Sequence, residues 1–565
     1  MSSTRSFLLL ALLAVGYMLY SAWEQDYGPK PAVSTEASTA AGGSANPAAS
    51  SSSKDVPSAA SAANAPSAPG AADAGKEPSA QTISVATDVL RVEISTLGGS
   101  LVRADLLAYP IDPKDKTKPV RLLDDGPAHY FVAQTGLVSG SGAAPSHKAS
   151  FNAEKTSYEL AAGSDKIEVP LTWTDASGIS VRKVYVFSRG SYLIETREEV
   201  ANAGTAAWTG NEYRQLQRTA PPAQSGGLFA VYNPEAYAFV GAAWYAQGKF
   251  NKLVFAKFAE STLSKTEVAG GWVAMLQHYF FAAFIPVAGE VDQYSTGTAD
   301  GRYLIYAMSP AQTVAPNATG TFATRLYVGP KLQSDLASVA PGLELTADYG
   351  ILTFIAQPMH WVLVQLHKFT GNWGVAIILL VLLLKLALYK PSEAQYRSMA
   401  KMKQFQPRLE ALKERYGDDK QKLNAAMMEL YKKEKINPLG GCLPILIQMP
   451  IFFALLWVLQ ESVELRQAPF FGWIQNLSAP DPLFILPILN GVAMLATQWL
   501  SPASPGMDPM QQRMMKFMPV IFAVMFAFAP AGLTLYWTMN GWLSLLQQWV
   551  ITKRVGAAAA TPAKA

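Results

Sequence analysis

The stretch WGVAIILLVLLLKLALYK, from Trp373 to Lys390, constrains this chain most: it is long and apolar enough to cross a bilayer, yet Lys385 lies inside it. Comparable apolar stretches recur at about 442–462, 483–500 and 517–552, and half of the 565 residues are hydrophobic against 16% charged. Such proportions describe an integral membrane protein. The lysine is the anomaly, because at mid-span it costs about 2.5 to 3.5 kcal/mol on insertion scales.

Pro530, Ala531 and Gly532 interrupt the last stretch, so it reads as a hairpin of two spans and the core as five. A further apolar run, Phe7 to Tyr20, follows Arg5 and precedes Glu24 and Asp26. Its size also suits a cleavable signal peptide, but no A-x-A site follows, which favours a retained anchor over 1–23. Loop charge sets the orientation. Twelve Lys or Arg lie from Lys390 to Lys435, only Arg466 lies between Ser462 and Pro482, Arg513 and Lys516 precede the hairpin, and Lys553 and Arg554 follow it. Both termini, including a tail at 553–565, are therefore expected in the cytoplasm, and the chain between anchor and core in the periplasm.

Residues 24–80 are almost wholly Ala, Ser, Pro, Gly and scattered charge, too poor in large apolar groups to offset chain entropy, and are expected to be a disordered tether. From 81 to 341 short alternating runs such as TDVLRVEIS, GISVRKVYVF and SYLIETREEV are punctuated by LGG, DASG and SRG turns. The expected fold class is thus an α-helical membrane core (373–552) with a large extramembrane antiparallel β-sandwich (81–341). Between them, over 342–372, Ile351, Phe354, Ile355, Val362, Leu363, Leu366 and Phe369 fall near one helical face, which predicts an amphipathic helix on the membrane surface. His360 and His367 are seven apart, but with no Asp, Glu or Cys beside them they read as interfacial residues rather than metal ligands.

Enzyme chemistry finds no residues to carry it. None of the five histidines lies in a span, no HExxH, Walker A or GxGxxG motif occurs, and the single Cys442 permits neither an intrachain disulfide nor a CxxC pair. No catalytic group, cofactor or metal is expected.

The polar groups of the spans are not scattered. Lys385, Gln448, Gln498, Gln547 and Gln548 fall at comparable depth in the cytoplasmic third, with Asn490, Asn540 and Ser544 nearer the middle. In the last span Tyr536, Trp537, Asn540, Ser544, Gln547 and Gln548 share an arc of about 120°. Toward the outer side the spans read LWVLQ, LFILP and FAFAP, almost free of polar groups. A channel or carrier should be polar through its full depth. Lys385 either snorkels to the headgroups or lies in a water-accessible groove open to the cytoplasm, and the glutamines at matching depth favour the groove.

Between the first two core spans, over 391–440, Met402, Phe405, Leu409, Leu412 and Tyr416 recur at spacings of three and four, a GDD turn follows, and Leu423, Met427 and Leu430 continue the pattern. Two antiparallel helices are predicted, the first kinked by Pro407. With Lys390 just before it, this segment's twelve basic and seven acidic groups form a face suited to ribosomal RNA or anionic lipid, or simply to water.

SMAKMKQFQPRLEALKERYGDDKQKL, NPLGGCLPILIQMPIFFALLWVL, SVELRQAPF, DPLFILPIL and DPMQQRMMKFMPVIF with GLTLYW together resemble the YidC family of membrane protein insertases in its Gram-negative form. The resemblance covers nearly the whole chain and implies a non-enzymatic insertase of the inner membrane, acting on nascent membrane proteins alone or with the Sec translocon and its accessory subunits, with the ribosome and inner-membrane lipids as further partners. It also implies that Lys385 stands where the family usually has an arginine in its groove. Gln448, Pro450, Tyr536 and Trp537 are similar to family positions along the substrate path. Asn490, Gln498, Asn540, Ser544 and Gln547 complete the candidate substrate-binding set from the polar pattern itself. Two rivals stand beside this reading: an ion-coupled transporter using Lys385, and a membrane-anchored envelope protein whose β domain binds glycan.

Overall fold

A computed structural model of the chain describes residues 55–57, 80–221, 238–416, 419–433, 443–500 and 509–560. The expected anchor 1–23, nearly all of the tether, the start of the GDD turn, Cys442 and the end of the tail lie outside them.

The expected sandwich is present as an 11-stranded and a nine-stranded sheet. Period-two alternation builds it: in Leu193–Asn202 every second residue from Ile194 is buried, and Leu90–Ser95 buries Leu90, Val92 and Ile94. Among the described residues strands pair antiparallel, except Thr82–Ala86, which pairs parallel with Ser157–Glu159. Ile83, Val85, Val169, Leu171, Phe284 and Leu326 belong to the core between the sheets.

The same alternation carries charge inward. Arg214, fully buried, donates to Glu212 at 2.8 Å and to Asp292 at 2.7 Å, and Glu290 stands at 3.3 Å. Nearby Lys183 pairs with Glu198 at 3.0 Å. Three carboxylates around one guanidinium leave excess negative charge in a dry place, and burial pushes Glu212 and Asp292 up to about 7 despite the arginine.

Among the described residues ten helices follow: α1 (Gln333–Val339), α2 (Thr353–Thr370), α3 (Trp373–Ala387), α4 (Tyr389–Gln404), α5 (Gln406–Tyr416), α6 (Lys420–Lys433), α7 (Leu443–Glu461), α8 (Ile485–Leu500), α9 (Pro509–Phe526) and α10 (Ala531–Ala560). The TGN sequence separates α2 from α3. Gly371 (φ 67°) closes α2 by donating to the His367 carbonyl, and Asn372 caps α3 by accepting the Val375 N–H at 3.1 Å. Pro407 falls in the first turn of α5, where a missing N–H costs nothing, so the expected kink is a break at Phe405. Leu409 and Leu423 are buried where α5 meets α6.

Two expectations need correction. α2 is not apolar on one face only: it buries Ala356, Met359, His360 and Leu363 while Phe354, Trp361 and Phe369 stay exposed, as does Ile351 in the turn before it. Apolar residues surround it because one side packs on the helical core and the other is free. And Glu464, from the turn after α7, comes within 3.8 Å of His360, a carboxylate that local sequence could not place there.

Among the described residues no single helix is both long and apolar enough to cross a membrane; α3 and the start of α4, bent by 68°, qualify only together. The bend has a covalent cause. Pro391 has no N–H to offer the Ala387 carbonyl, so the helix restarts at Tyr389. Exposed large apolar side chains nevertheless concentrate in the helical part, including Leu382, Leu386, Ile488, Val492, Phe517, Ile521, Val524 and Trp549, whereas in the sandwich only Ile111, Val254, Val287 and Val291 are so exposed among the described residues.

The two parts meet at the end of α7 and the 462–482 loop that follows it. Val463 is buried in the sandwich core cluster, Arg466 and Gln467 donate to the Pro110 carbonyl at 2.9 and 3.0 Å, and His278 donates to the Gln460 carbonyl at 3.0 Å.

The buried carboxyls make stability depend on pH. Because Glu212 and Asp292 hold protons to higher pH folded than unfolded, their contribution is fully present below about pH 4 and lost as pH rises through 7. Urea unfolding, read by hydrogen exchange in Trp208–Arg218, should give a lower midpoint at pH 8 than at pH 5, a difference reduced in Glu212→Gln. Arg214→Met, which strips the carboxylates of their counterion, should cost about 3–5 kcal/mol at pH 8.

Candidate functional site

Lys385 points from the last turn of α3 toward α10, where its Nζ donates to Ser544 Oγ at 2.7 Å. The Ser544 hydroxyl donates in turn to the Asn540 carbonyl one turn back at 2.6 Å, the back-bonding that lets a serine sit inside a helix. Gln448 of α7 donates to Asn540 Oδ1 at 3.3 Å. Tyr396 of α4 stands beside Ser544, and Ser392 of the same helix lines the cavity there. Four helices thus converge on one polar string. No carboxylate is paired with Lys385 among the described residues.

A small cavity around this string is lined by Lys385, Gln448, Tyr536 and Asn540 with Val381, Leu384, Leu388, Ser392 and Ile451. Gln448, Tyr536 and Asn540 also line a second cavity of about 600 Å³, whose remaining wall is nearly all apolar: Met449, Phe452, Leu456, Phe522, Met525, Phe526, Leu533 and Trp537, with Gln460. Trp537 packs edge-on to Phe452 at 4.8 Å and near Phe526 at 5.3 Å, and its Nε1 has no partner among the described residues. Gln460, which lines this cavity, is the residue whose carbonyl accepts from His278 of the β domain.

Of the residues singled out from sequence, Lys385, Gln448, Tyr536, Asn540 and Ser544 therefore meet, and Trp537 stands in the adjoining cavity. The others do not join them. Pro450 lies within α7 but lines neither cavity. Asn490 is buried between α8 and α10 against Gly541, with neither amide atom partnered among the described residues. Gln498 and Gln547 line neither cavity. The reason is geometric: α10 packs against α8 as well as α3 and α4, so an arc of 120° on its surface serves more than one neighbour.

Ser392 and Tyr396 escaped sequence reading. They lie beyond the expected span end and reach the site only because the chain bends at Leu388; their spacing of four on α4 is the one signal that could have joined them. The apolar wall escaped too, since a cavity lining and a lipid-facing surface use the same residues.

His360 and His367 are apart in role: the first faces Glu464, the second stacks on Trp373 with ring centroids 3.9 Å apart. Among the described residues no cluster of three His, Cys, Asp or Glu could hold a metal.

The family model for the YidC periplasmic domain matches residues 82–362, and that for the 60Kd inner membrane protein matches 365–558. A relative from Thioalkalivibrio sulfidiphilus, named membrane protein insertase YidC, is 47% identical over 570 residues, covering 98% of this chain and 99% of its own. One of the same name from Stenotrophomonas maltophilia is 47% identical over 565 residues, covering 98% and 97%. A crystal structure described as an active YidC insertase with its first transmembrane domain resolved overlays with a TM-score of 0.36 at 18% identity, over 82% of this chain and 92% of that one. The chain belongs to the YidC family of membrane protein insertases.

Proposed function

We propose that this protein inserts newly made proteins into the inner membrane by receiving them in a cytoplasm-open groove around Lys385 and releasing them sideways into lipid. The observation that carries the reading is the junction of a cation without a carboxylate partner and an apolar cavity: among the described residues Lys385 bonds only a hydroxyl, and the residues beside it wall a cavity of about 600 Å³. A client hairpin brings both kinds of surface. Its hydrophilic segment rests among Lys385, Ser544, Asn540 and Gln448, while its apolar part lies along Phe452, Leu456 and Leu533 before leaving.

Magnitudes make this workable. An acidic residue at mid-membrane costs about 2.5–3.5 kcal/mol. A cation about 4 Å away in a partly wet site supplies about 4 kcal/mol. The two nearly cancel, which lowers a barrier without trapping the client. Lys385 acts as a point charge rather than a planar fork, so attraction matters more than bidentate geometry.

The proposed topology has five core spans and an N-terminal anchor, with both termini cytoplasmic. Short helices support local thinning of the bilayer: α3 has 15 residues and α8 has 16, about 22 and 24 Å at 1.5 Å per residue, against a hydrocarbon core of about 30 Å. α7, α9 and α10 are longer, at 19, 18 and 30 residues. The exposed Phe354, Trp361 and Phe369 of α2 suit an interfacial position against lipid. The Sec translocon is a proposed partner, and α4 to α6, with their basic groups, are the proposed contact for the ribosome.

Lys385→Glu should lower insertion of clients with acidic translocated segments at least about tenfold, a change of about 1.4 kcal/mol, while Lys385→Arg should stay within about twofold. Protease protection of the client tail in proteoliposomes reads this directly; wild-type insertion by Lys385→Glu would remove the attractor role. Leu456→Asp, which puts a charge on the apolar wall, should reduce crosslinking of a stalled nascent chain to Phe452 while leaving contact at Lys385.

A further inference from the structure

The Ala/Ser/Pro-rich segment is not featureless. At residues 55–57 the chain rests on the β sandwich, 92 residues in sequence from His147. Asp55 accepts from Lys148 Nζ at 2.9 Å and from His147 Nε2 at 3.2 Å, its side chain is 11% exposed, and Pro57 is buried. The proline fixes its own φ and biases Val56 before it toward extended backbone, so the peptide gives up little freedom when it settles there.

The receiving surface is built independently of this peptide. Gly98, in the LGG turn, has φ +71°, and a Cβ there would lie 2.1 Å from the His147 carbonyl oxygen, so only glycine lets the turn press against the His147 backbone. Gly98 donates to the Ala149 carbonyl at 2.6 Å, and Leu97 bridges Ser150. The buried Tyr213 hydroxyl accepts the His147 main-chain N–H at 2.8 Å and stands 2.7 Å from Nδ1. With Tyr213 donating to Nδ1, the ring is neutral and its Nε2–H is aimed at Asp55. Burial keeps His147 from protonating, in agreement with that tautomer. Burial would also raise the Asp55 carboxyl, but hydrogen bonds from Lys148 and His147 outweigh it and hold the group at about 2.

We propose that Asp55, Val56 and Pro57 form a docking motif, an acidic residue two positions before a proline, that clips the Ala/Ser/Pro-rich segment to a preformed site made by His147 and Lys148 and oriented by Tyr213. The site takes an acid-and-proline peptide, and its occupant is this chain itself. Between Pro29 and Ala80 there is no second match: the other acidic residues, Glu36, Asp73 and Glu77, have Ser, Gly and Ser two positions on. Its consequence rests on the reading of 1–23 as an anchor. With the clip closed, 32 residues rather than 58 separate position 23 from a fixed point on the sandwich, counting to 55 and to 81, so the farthest reach falls from about 200 Å to about 110 Å. The clip itself stands whether or not that anchor is retained.

The test uses the full chain with Cys442→Ser and a nitroxide spin label on Val56→Cys, the half-buried position between the two residues that dock. With Asp55 and Pro57 in place the spectrum should be dominated by an immobilised component. Asp55→Asn and Pro57→Ser should each raise the mobile component at least about threefold, while Asp73→Asn, elsewhere in the segment, should leave the spectrum unchanged. Lys148→Ala, at a half-exposed side chain whose loss leaves the sandwich intact, should mobilise the label as Asp55→Asn does. A label equally mobile with Asp55 present and in Asp55→Asn, or immobilised in all of them, would overturn the proposal; neither result bears on insertion.

Discussion

The hydrogen bond from Lys385 to Ser544 is the interaction on which the helical core's organisation turns. An ammonium has three donors and a full charge, and the bundle satisfies part of the first need without cancelling the second. A carboxylate in place of Ser544 would make a stable pair and extinguish the field. A hydroxyl, itself committed to the Asn540 carbonyl, orients the lysine without neutralising its charge. On the proposed function, that charge is what an acidic client segment would meet.

The rest of the helical part arranges surroundings for this charge. Pro391 forces the bend that carries Ser392 and Tyr396 to the site. The shared wall of Gln448, Tyr536 and Asn540 divides the polar pocket from the apolar cavity, so polar and apolar surfaces lie side by side. The sandwich reaches that cavity from the other end, because the Gln460 backbone is held by His278 and the following Val463 is buried among sandwich residues. The periplasmic part is therefore mechanically joined to the helix that walls the cavity.

Much of this was legible in sequence for physical reasons. Period-two alternation survives translation into strands because one face of each is dry, as in Leu90–Ser95 and Leu193–Asn202. The polar residues of the spans were conspicuous because lipid tolerates so few. What sequence could not supply was rotation. Asn490 and Ser544 look alike as polar residues at mid-depth, yet one is buried against Gly541 and the other binds Lys385, a distinction fixed by which helices flank α10. Contacts between distant segments were equally hidden: Glu464 beside His360, and Asp55 on His147 in a stretch whose composition reads as plain tether.

The proposed insertion requires wetness confined to one side of the membrane. Single cysteines at Ser392, Gln448, Asn540, Leu456 and Leu533, each in a Cys442→Ser background, can be reacted with a membrane-impermeant maleimide applied to either face of oriented vesicles. The first three should label from the cytoplasmic face alone and the last two from neither. Labelling of Gln448 and Asn540 from both faces, or from none, would contradict it.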